Sequence, residues 1–524
     1  MSQAVYVTTP LYYVNAAPHI GHSYTEIAAD CLARFHRLRG DDVFFLTGTD
    51  EHGEKIAQAA AAEGVSPKAF ADRNAERFVT LWKLLGIAGS YTRFIRTTDA
   101  DHEACVQRVL TALQPQLQLG TYTFWYCVPC ETNFGITEID AGRAVCLTCQ
   151  RPLTQVQEED YFLNLEAHRE WLRQHIETHD TFILPTERRN EVLTLLRDPT
   201  HPLPGLCVTR PKERVAWGIP VPFSPRHVTY VWFDALVNYI SALGWPQDPQ
   251  FHQYWEEAGA VHLIGKDILR HHALYWPIIL HALDIRPPRM IFAHGFWKVG
   301  EQKMSKSFGN IIDPAVVIQH VLKGQPFGAD IYRYFLLREV PFGQDGRFSE
   351  DALMSRLSAD LANDLGNLVN RTLSMIDRYC EGRVPAMAIG CAVADEPLQR
   401  AALALPSAVE NAMTRLDFSA ALTAILHVVS MANRYIETVT PWKLAEQTDG
   451  AARLHGVLRV LAEVLRIVAI TLEPFLPMVA GRIWQDLGSA RMPRRFAEAG
   501  QWGLLETGQE IAPKRTVLFP RAEH

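Results

Sequence analysis

A chain of 524 residues, 48% hydrophobic and 21% charged, holds enough apolar material for about two to four cored domains. A formal net charge of −7 excludes a globally basic nucleic-acid binder, so any nucleic acid must be held by local patches. No apolar run reaches bilayer-spanning length and the N-terminus opens without a signal or transit pattern, so a cytoplasmic protein without membrane contact is expected.

Residues 5–9 (VYVTT) read as a β-branched strand. From 23 to 39 the apolar side chains Tyr24, Ile27, Ala28, Cys31, Phe35 and Leu38 recur at helical spacing, and Gly40 ends that helix. VFFLTGTD at 43–50 is a second buried strand. The opening is thus a strand, helix, strand unit, which leads to a parallel sheet with ligands gathering where its strands end. Between about 116 and 228 the pattern breaks into cysteine pairs and a proline-rich stretch, the mark of an insertion. Strand and helix alternation returns at 228–240, 261–268 and 290–297, so the sheet is expected to be split around a separate module. Beyond about 350, Leu, Ala, Val and Ile recur every three or four residues, which predicts an all-α helical bundle.

Two stretches suit phosphate. Pro18-His19-Ile20-Gly21-His22 lies between the first strand and helix, where glycine admits a ligand to the backbone and helix-end amides favour negative charge. Two imidazoles there can donate to a polyphosphate; a tight turn with two surface histidines fits the same residues. Lys303-Met304-Ser305-Lys306-Ser307 follows the last sheet strand in a polar loop, 300–310, and offers two compact cations flanked by hydroxyls. Taken singly, it is also a solvated basic loop.

Together, in this order and at opposite ends of one split sheet, the two stretches resemble the signature of class I aminoacyl-tRNA synthetases. The resemblance implies a Rossmann-type α/β catalytic domain in two halves, 1–115 and 229–325, around an insertion at 116–228. A linker contacting the tRNA stem, 326–360, and an anticodon-binding bundle, 361–524, would follow. It implies ATP held by His19, Gly21 and His22 on one side and Lys303, Ser305 and Lys306 on the other. The four basic residues, His19, His22, Lys303 and Lys306, would stabilise charge on the phosphates as an amino-acid carboxylate attacks the α-phosphorus. A carboxylate is already a nucleophile and pyrophosphate already a good leaving group, so positioning and electrostatics suffice without a general base. Mg2+ is expected to accompany the ATP.

The segments TTPLYYVNAAPHIGH (8–22), LTGTDEHGEK (46–55), YVWFDALVNYI (230–240) and LIGKDILRHH (263–272) are similar to the methionyl-tRNA synthetase family, and the similarity covers essentially the whole chain. It implies a methionine pocket of Leu11, Tyr13, Trp232, Ala235, Tyr239, Ile268 and His272, with Asp50 on the α-ammonium group. A thioether makes favourable contacts with aromatic rings, and a buried carboxylate suits an ammonium ion. Read without the family, Trp232 and Tyr239 are core aromatics and Asp50 equally a helix N-cap. Lys266 and Asp267 fall in the same segment with no assigned role. The implied reaction joins L-methionine to tRNA(Met) at the expense of ATP. A nucleotidyltransferase that needs no tRNA and a synthetase-like RNA-binding protein without catalysis are the competing readings.

Cys127-Val-Pro-Cys130 and Cys146-Leu-Thr-Cys149 form two knuckles separated by fifteen residues, the spacing of a closed four-thiolate zinc site. Unligated thiols or two disulfides are the alternative, disfavoured in a reducing compartment. The synthetase family carries such a knuckle in this insertion. In the bundle, Asn363, Asn367 and Arg371 lie four apart, in one row of a helix. The row suits base edges in an unstacked loop, or merely a solvated face. NDLGNLVNR resembles the family's anticodon-contacting helix, and Trp442 of TPWKL its base-stacking tryptophan, which would otherwise be a helix-start residue packed on a neighbour. The chain ends at His524 with no appended dimerisation domain, so a monomer is expected.

Overall fold

The computed structural model describes residues 2–128, 132–135, 139, 144–147, 150–299, 302–303, 311–386, 393–489, 494–513 and 517–520. Its centre is a parallel sheet whose strands, in chain order, are β1 (Ala4–Thr8), β2 (Tyr12–Tyr13), β3 (Asp42–Asp50), β4 (Arg93–Arg96), β5 (Ile183–Leu184), β6 (Ala260–Gly265) and β7 (Met290–His294). The spatial order is β2-β3-β1-β6-β7-β5, with β4 also paired to β3. The period-two alternation of β1 sends Val5 and Val7 into one core and Tyr6 into another on the opposite face. The halves from either side of the insertion meet at the β1–β6 seam, where Thr8 stands opposite His262. Connections leave that seam in opposite directions, so it is the topological switch point where a ligand cleft opens beyond the strand ends.

Helix α1 (Ile20–Arg39) begins earlier than its apolar spacing indicated, because His19 caps it, and it stops at Gly40, whose φ of 91° only glycine adopts without strain.

The segment between 116 and 228 is only partly a module of its own. A long antiparallel pair, Leu117–Cys127 with Thr154–Leu163, carries the knuckle region, but residues 183–184 return to pair with β7 as an edge strand. Buried Phe182 and Ile183 drive that return: two large apolar side chains find cover on the sheet core. The strand at the start of the 228–240 stretch stays in a small antiparallel sheet with Thr209–Pro211, so only helix α2 (Val231–Ser241) rejoins the catalytic layer.

The C-terminal part is helical as its periodicity predicts. Helices α3 (Gly328–Arg338), α4 (Asn367–Tyr379), α5 (Phe418–Val439), α6 (Ala451–Leu472) and α7 (Pro477–Asp486) share one continuous core with α1 and one face of the sheet. From 456 to 472 every residue of α6 is buried, so it is the bundle's central helix. The two halves are also joined by charge. Arg333 of α3 and Asp30 of α1, both fully buried, form an ion pair at 2.6 Å. Arg333 also donates to the carbonyls of Phe475 (3.0 Å) and Pro474 (3.1 Å), between α6 and α7.

Candidate active site

A cavity of about 490 Å3 opens at the carboxyl ends of β1, β3, β6 and β7. Its wall is assembled from residues 10–13, the start of α1, Asp50, α2, the turn after β6, and residues 294–297 after β7. A shallower groove of about 770 Å3 along α5 is lined mainly by small and apolar side chains and lacks this convergence of histidines and carboxylates. All eight positions implied for methionine, Leu11, Tyr13, Asp50, Trp232, Ala235, Tyr239, Ile268 and His272, lie on the wall of the smaller cavity together with His19, Gly21 and His22. The backbone of Lys303 pairs with Lys298 across a short hairpin, Trp297–Val299 with Gln302–Lys303, that continues directly from the wall. Ser305 and Lys306 lie outside the described residues.

The two histidines are fixed by the backbone they cap. His19 Nδ1 accepts the Gly21 amide at 3.1 Å, and His22 Nδ1 accepts the His19 amide at 3.1 Å. The rings stack with centroids 3.8 Å apart. Because both Nδ1 atoms accept, the proton of each neutral ring is assigned to Nε2, the edge turned away from the cap. An added Cβ at position 21 would sit 2.9 Å from the His19 ring, so a side chain there would have to displace that ring from its cap. Tyr12 buttresses the pair from below: its ring meets that of His22 edge-on at 5.2 Å, and its hydroxyl donates to Glu26 at 2.9 Å. Burial pushes the Glu26 carboxyl up to about 8.

The wall formed by α2 and the turn after β6 carries the rings of Trp232, Tyr239, His271 and His272. His272 Nδ1 donates to the Ile268 carbonyl at 3.0 Å, which leaves Nε2 to accept the Tyr239 hydroxyl at 2.8 Å. Burial lowers the His272 pKa to about 4, so the ring stays uncharged at neutral pH. The Tyr6 hydroxyl donates to the Tyr239 carbonyl at 2.7 Å, the His262 ring lies 4.1 Å from that of Tyr239, and Trp232 stacks on His271 at 3.9 Å. Asp50, 8% exposed at the end of β3, and Asp267 are the carboxylates on this wall among the described residues.

Behind Asp50 the next two residues anchor the strand end. Glu51 is gripped by Arg96 through both oxygens, at 2.6 and 2.8 Å. His52 Nδ1 lies 2.7 Å from Asp234 of α2, whose other oxygen is 2.7 Å from His102 Nε2. Burial lowers the His52 pKa, but the Asp234 carboxylate outweighs it and the net shift is upward. This buried His-Asp-His bridge ties the end of β3 to the helix carrying Trp232 and Tyr239.

In the bundle, Arg371 and Trp442 come together, the guanidinium 5.9 Å from the indole centroid. Trp442 is 39% exposed, not packed away at its helix start. Asn363 is exposed, and Asn367 donates to Asn433 at 3.3 Å. The stretch Leu357–Gly366 is wound as a π-helix rather than the α-helix its spacing suggested, so Asn363 is rotated relative to the row of Asn367 and Arg371.

Residues 5–373 match the family described as tRNA synthetases class I (M), and residues 404–511 match the anticodon-binding domain of tRNA ligase. The methionine–tRNA ligase of Caldanaerobacter subterraneus subsp. tengcongensis is 44% identical over 527 residues, spanning 100% of this chain and 80% of that one. The chain belongs to the methionine–tRNA ligase family. A second family member, from Clostridium tetani, is 44% identical over 92% of this chain and 73% of its own length. Among solved structures, Mycobacterium tuberculosis methionyl-tRNA synthetase in complex with methionyl-adenylate matches with a TM-score of 0.92 at 42% identity, over 99% of this chain and 100% of that one. The apo form of the same mycobacterial enzyme matches with a TM-score of 0.86 at 38% identity, over 100% of this chain and 99% of that one.

Family membership frames the remaining features. Cys127 and Cys146, one from each Cys-x-x-Cys pair, are both buried in one small core with Phe134, Ile139 and Leu153. Cys130 and Cys149 lie outside the described residues, and among the described ones no group of three metal-ligating side chains gathers. Sequence reasoning missed His294, Thr25, Asn238 and His271 on the cavity wall. His294 bonds Thr25 of α1 at 2.6 Å and so locks β7 to the helix of the two histidines. Its one sequence signal was a polar residue ending the buried run MIFAH.

Proposed function

We propose that the chain charges tRNA(Met) with methionine in two steps at this cavity. In the first, a carboxylate oxygen of methionine attacks the α-phosphorus of ATP, the bond to the bridging oxygen breaks, and pyrophosphate leaves methionyl-adenylate behind. In the second, a hydroxyl of the terminal ribose of tRNA attacks the activated carbonyl, forming the ester and releasing AMP. The supporting observation is the convergence of eight methionine-side positions with His19 and His22 on one cavity at the sheet's switch point. The Nε2–H groups of the two histidines, with Lys303 and Lys306, neutralise charge growing on the phosphates. Asp50 takes the α-ammonium, while Tyr239, His272 and Trp232 offer the thioether an uncharged, ring-lined wall. Mg2+ bound with ATP would supply further charge neutralisation.

Methionine-dependent ATP–pyrophosphate exchange, run against a panel of amino acids, tests the reading. Exchange is expected with methionine above all others, and silence with methionine would overturn it. The reading expects a cytoplasmic enzyme. No helix among the described residues is long and apolar enough to cross a membrane.

At the other end, Asn363, Asn367, Arg371 and Trp442 would meet the anticodon. Stacking on an aromatic ring is worth about 1–3 kcal/mol per base, so Trp442→Ala is expected to raise KM for tRNA roughly tenfold or more. Pyrophosphate exchange should stay at the wild-type rate; equal loss in both assays would remove the anticodon role. Cys127, Cys130, Cys146 and Cys149 fit a structural zinc, for which the shared burial of Cys127 and Cys146 gives support. Metal analysis is expected to find about one zinc per chain, released along with the fold of the knuckle by a strong chelator.

A further inference from the structure

Lys266 sits between two cavity-wall residues, Gly265 and Asp267, and Lys298 directly follows a third, Trp297. Their ammonium groups converge on a residue outside the wall. Lys266 Nζ is 2.7 Å from one oxygen of Asp345, and Lys298 Nζ is 2.7 Å from the other. The first oxygen also accepts the Phe296 amide at 2.9 Å, and the Phe296 ring lies 4.8 Å beneath Lys266 Nζ. Asp345 belongs to the loop after α3, and that loop is built into the wall. Gly346 pairs with Trp297 in register, and a Cβ at Gly295 would collide with the Gln344 carbonyl. Burial pushes the Asp345 carboxyl up, yet the two ammonium groups and the amide hold it well below the usual carboxylate range. One anion thus organises two cations, Lys266 in the turn after β6 and Lys298 on the strand paired with Lys303, and the trio carries a net positive charge beside the cavity.

We propose that Asp345 is a positioning residue for the triphosphate: it preorganises Lys266 and Lys298 as one cationic pair at the root of the Lys303 hairpin, where the pair's surplus charge attracts the phosphates of ATP. The inference rests on reading the cavity as an ATP site. Fixed charges that need no reorganisation when the substrate arrives contribute more than mobile ones. Asp345 acts through the lysines, so its influence must vanish when they are gone.

Steady-state pyrophosphate exchange on the full chain tests this. Asp345→Asn is expected to raise KM for ATP about tenfold while leaving KM for methionine within about twofold. Lys266→Met and Lys298→Met should each move KM for ATP in the same direction. In the doubly substituted lysine background, adding Asp345→Asn should change nothing further. Equal shifts in both Michaelis constants, no shift at all, or an Asp345→Asn effect that persists undiminished without the lysines would each overturn the proposal. If Asp345→Asn fails to fold, an unaltered KM for ATP in the two lysine variants overturns it instead. A wild-type chain with no methionine-dependent exchange would remove the ATP reading itself, a result separable from all of these.

Discussion

Replacing His22 with alanine is expected to lower methionine-dependent pyrophosphate exchange by about 10²–10³-fold, the usual cost of deleting one preorganised donor to a developing anion. The structure gives this residue two tasks. Its Nδ1 accepts the His19 amide and completes the helix cap, while its Nε2–H edge faces away from that bond. Asparagine separates them, because its side-chain oxygen can still take the His19 amide but its amide group does not reach as far as Nε2. His22→Asn should therefore retain the thermal stability of the parent and lose activity as severely as His22→Ala. Full exchange activity in the asparagine variant would confine His22 to capping.

Asp50→Asn is the second large effect. The carboxylate sits 8% exposed at the end of β3, on a wall whose His272 is kept neutral by burial. An ammonium ion entering this place exchanges water for a single buried counter-charge, and truncating one partner of such a pair costs about 2–5 kcal/mol. KM for methionine should rise by roughly a hundredfold or more, whereas KM for ATP stays near its starting value. Because asparagine preserves shape, the packing of Tyr13 beside Asp50 across β2 and β3 remains. An unchanged KM for methionine would assign the ammonium to another group.

The N-terminal strand, helix and strand were legible because each obeys its own period: Val5, Tyr6 and Val7 alternate, and Tyr24 to Phe35 recur along one helical stripe. The short motifs carried the candidate site, since His19, Gly21 and His22 need only a local turn to act together. What local pattern cannot carry is contact between distant segments. Residues 183–184 contain too few positions to display a period, and only the open edge of β7 gives them a role. The His52–Asp234–His102 bridge joins side chains 182 and 132 positions apart, and Asp345 reaches Lys266 over 79. The π-wound stretch before α4 buries Leu357, Leu361 and Leu365, a spacing that an α-helix also displays, so no pattern separates the two.

The Asp30–Arg333 pair has a mechanical consequence. Parting a buried ion pair costs about 3–5 kcal/mol, so hinge-like excursions that pull α3 from α1 should occupy fewer than about one molecule in a hundred. Arg333 simultaneously grips the corner between α6 and α7, so the span from the exposed indole of Trp442 to His19 and His22 is expected to behave as a fixed caliper. An RNA that touches both tips must supply the bending itself.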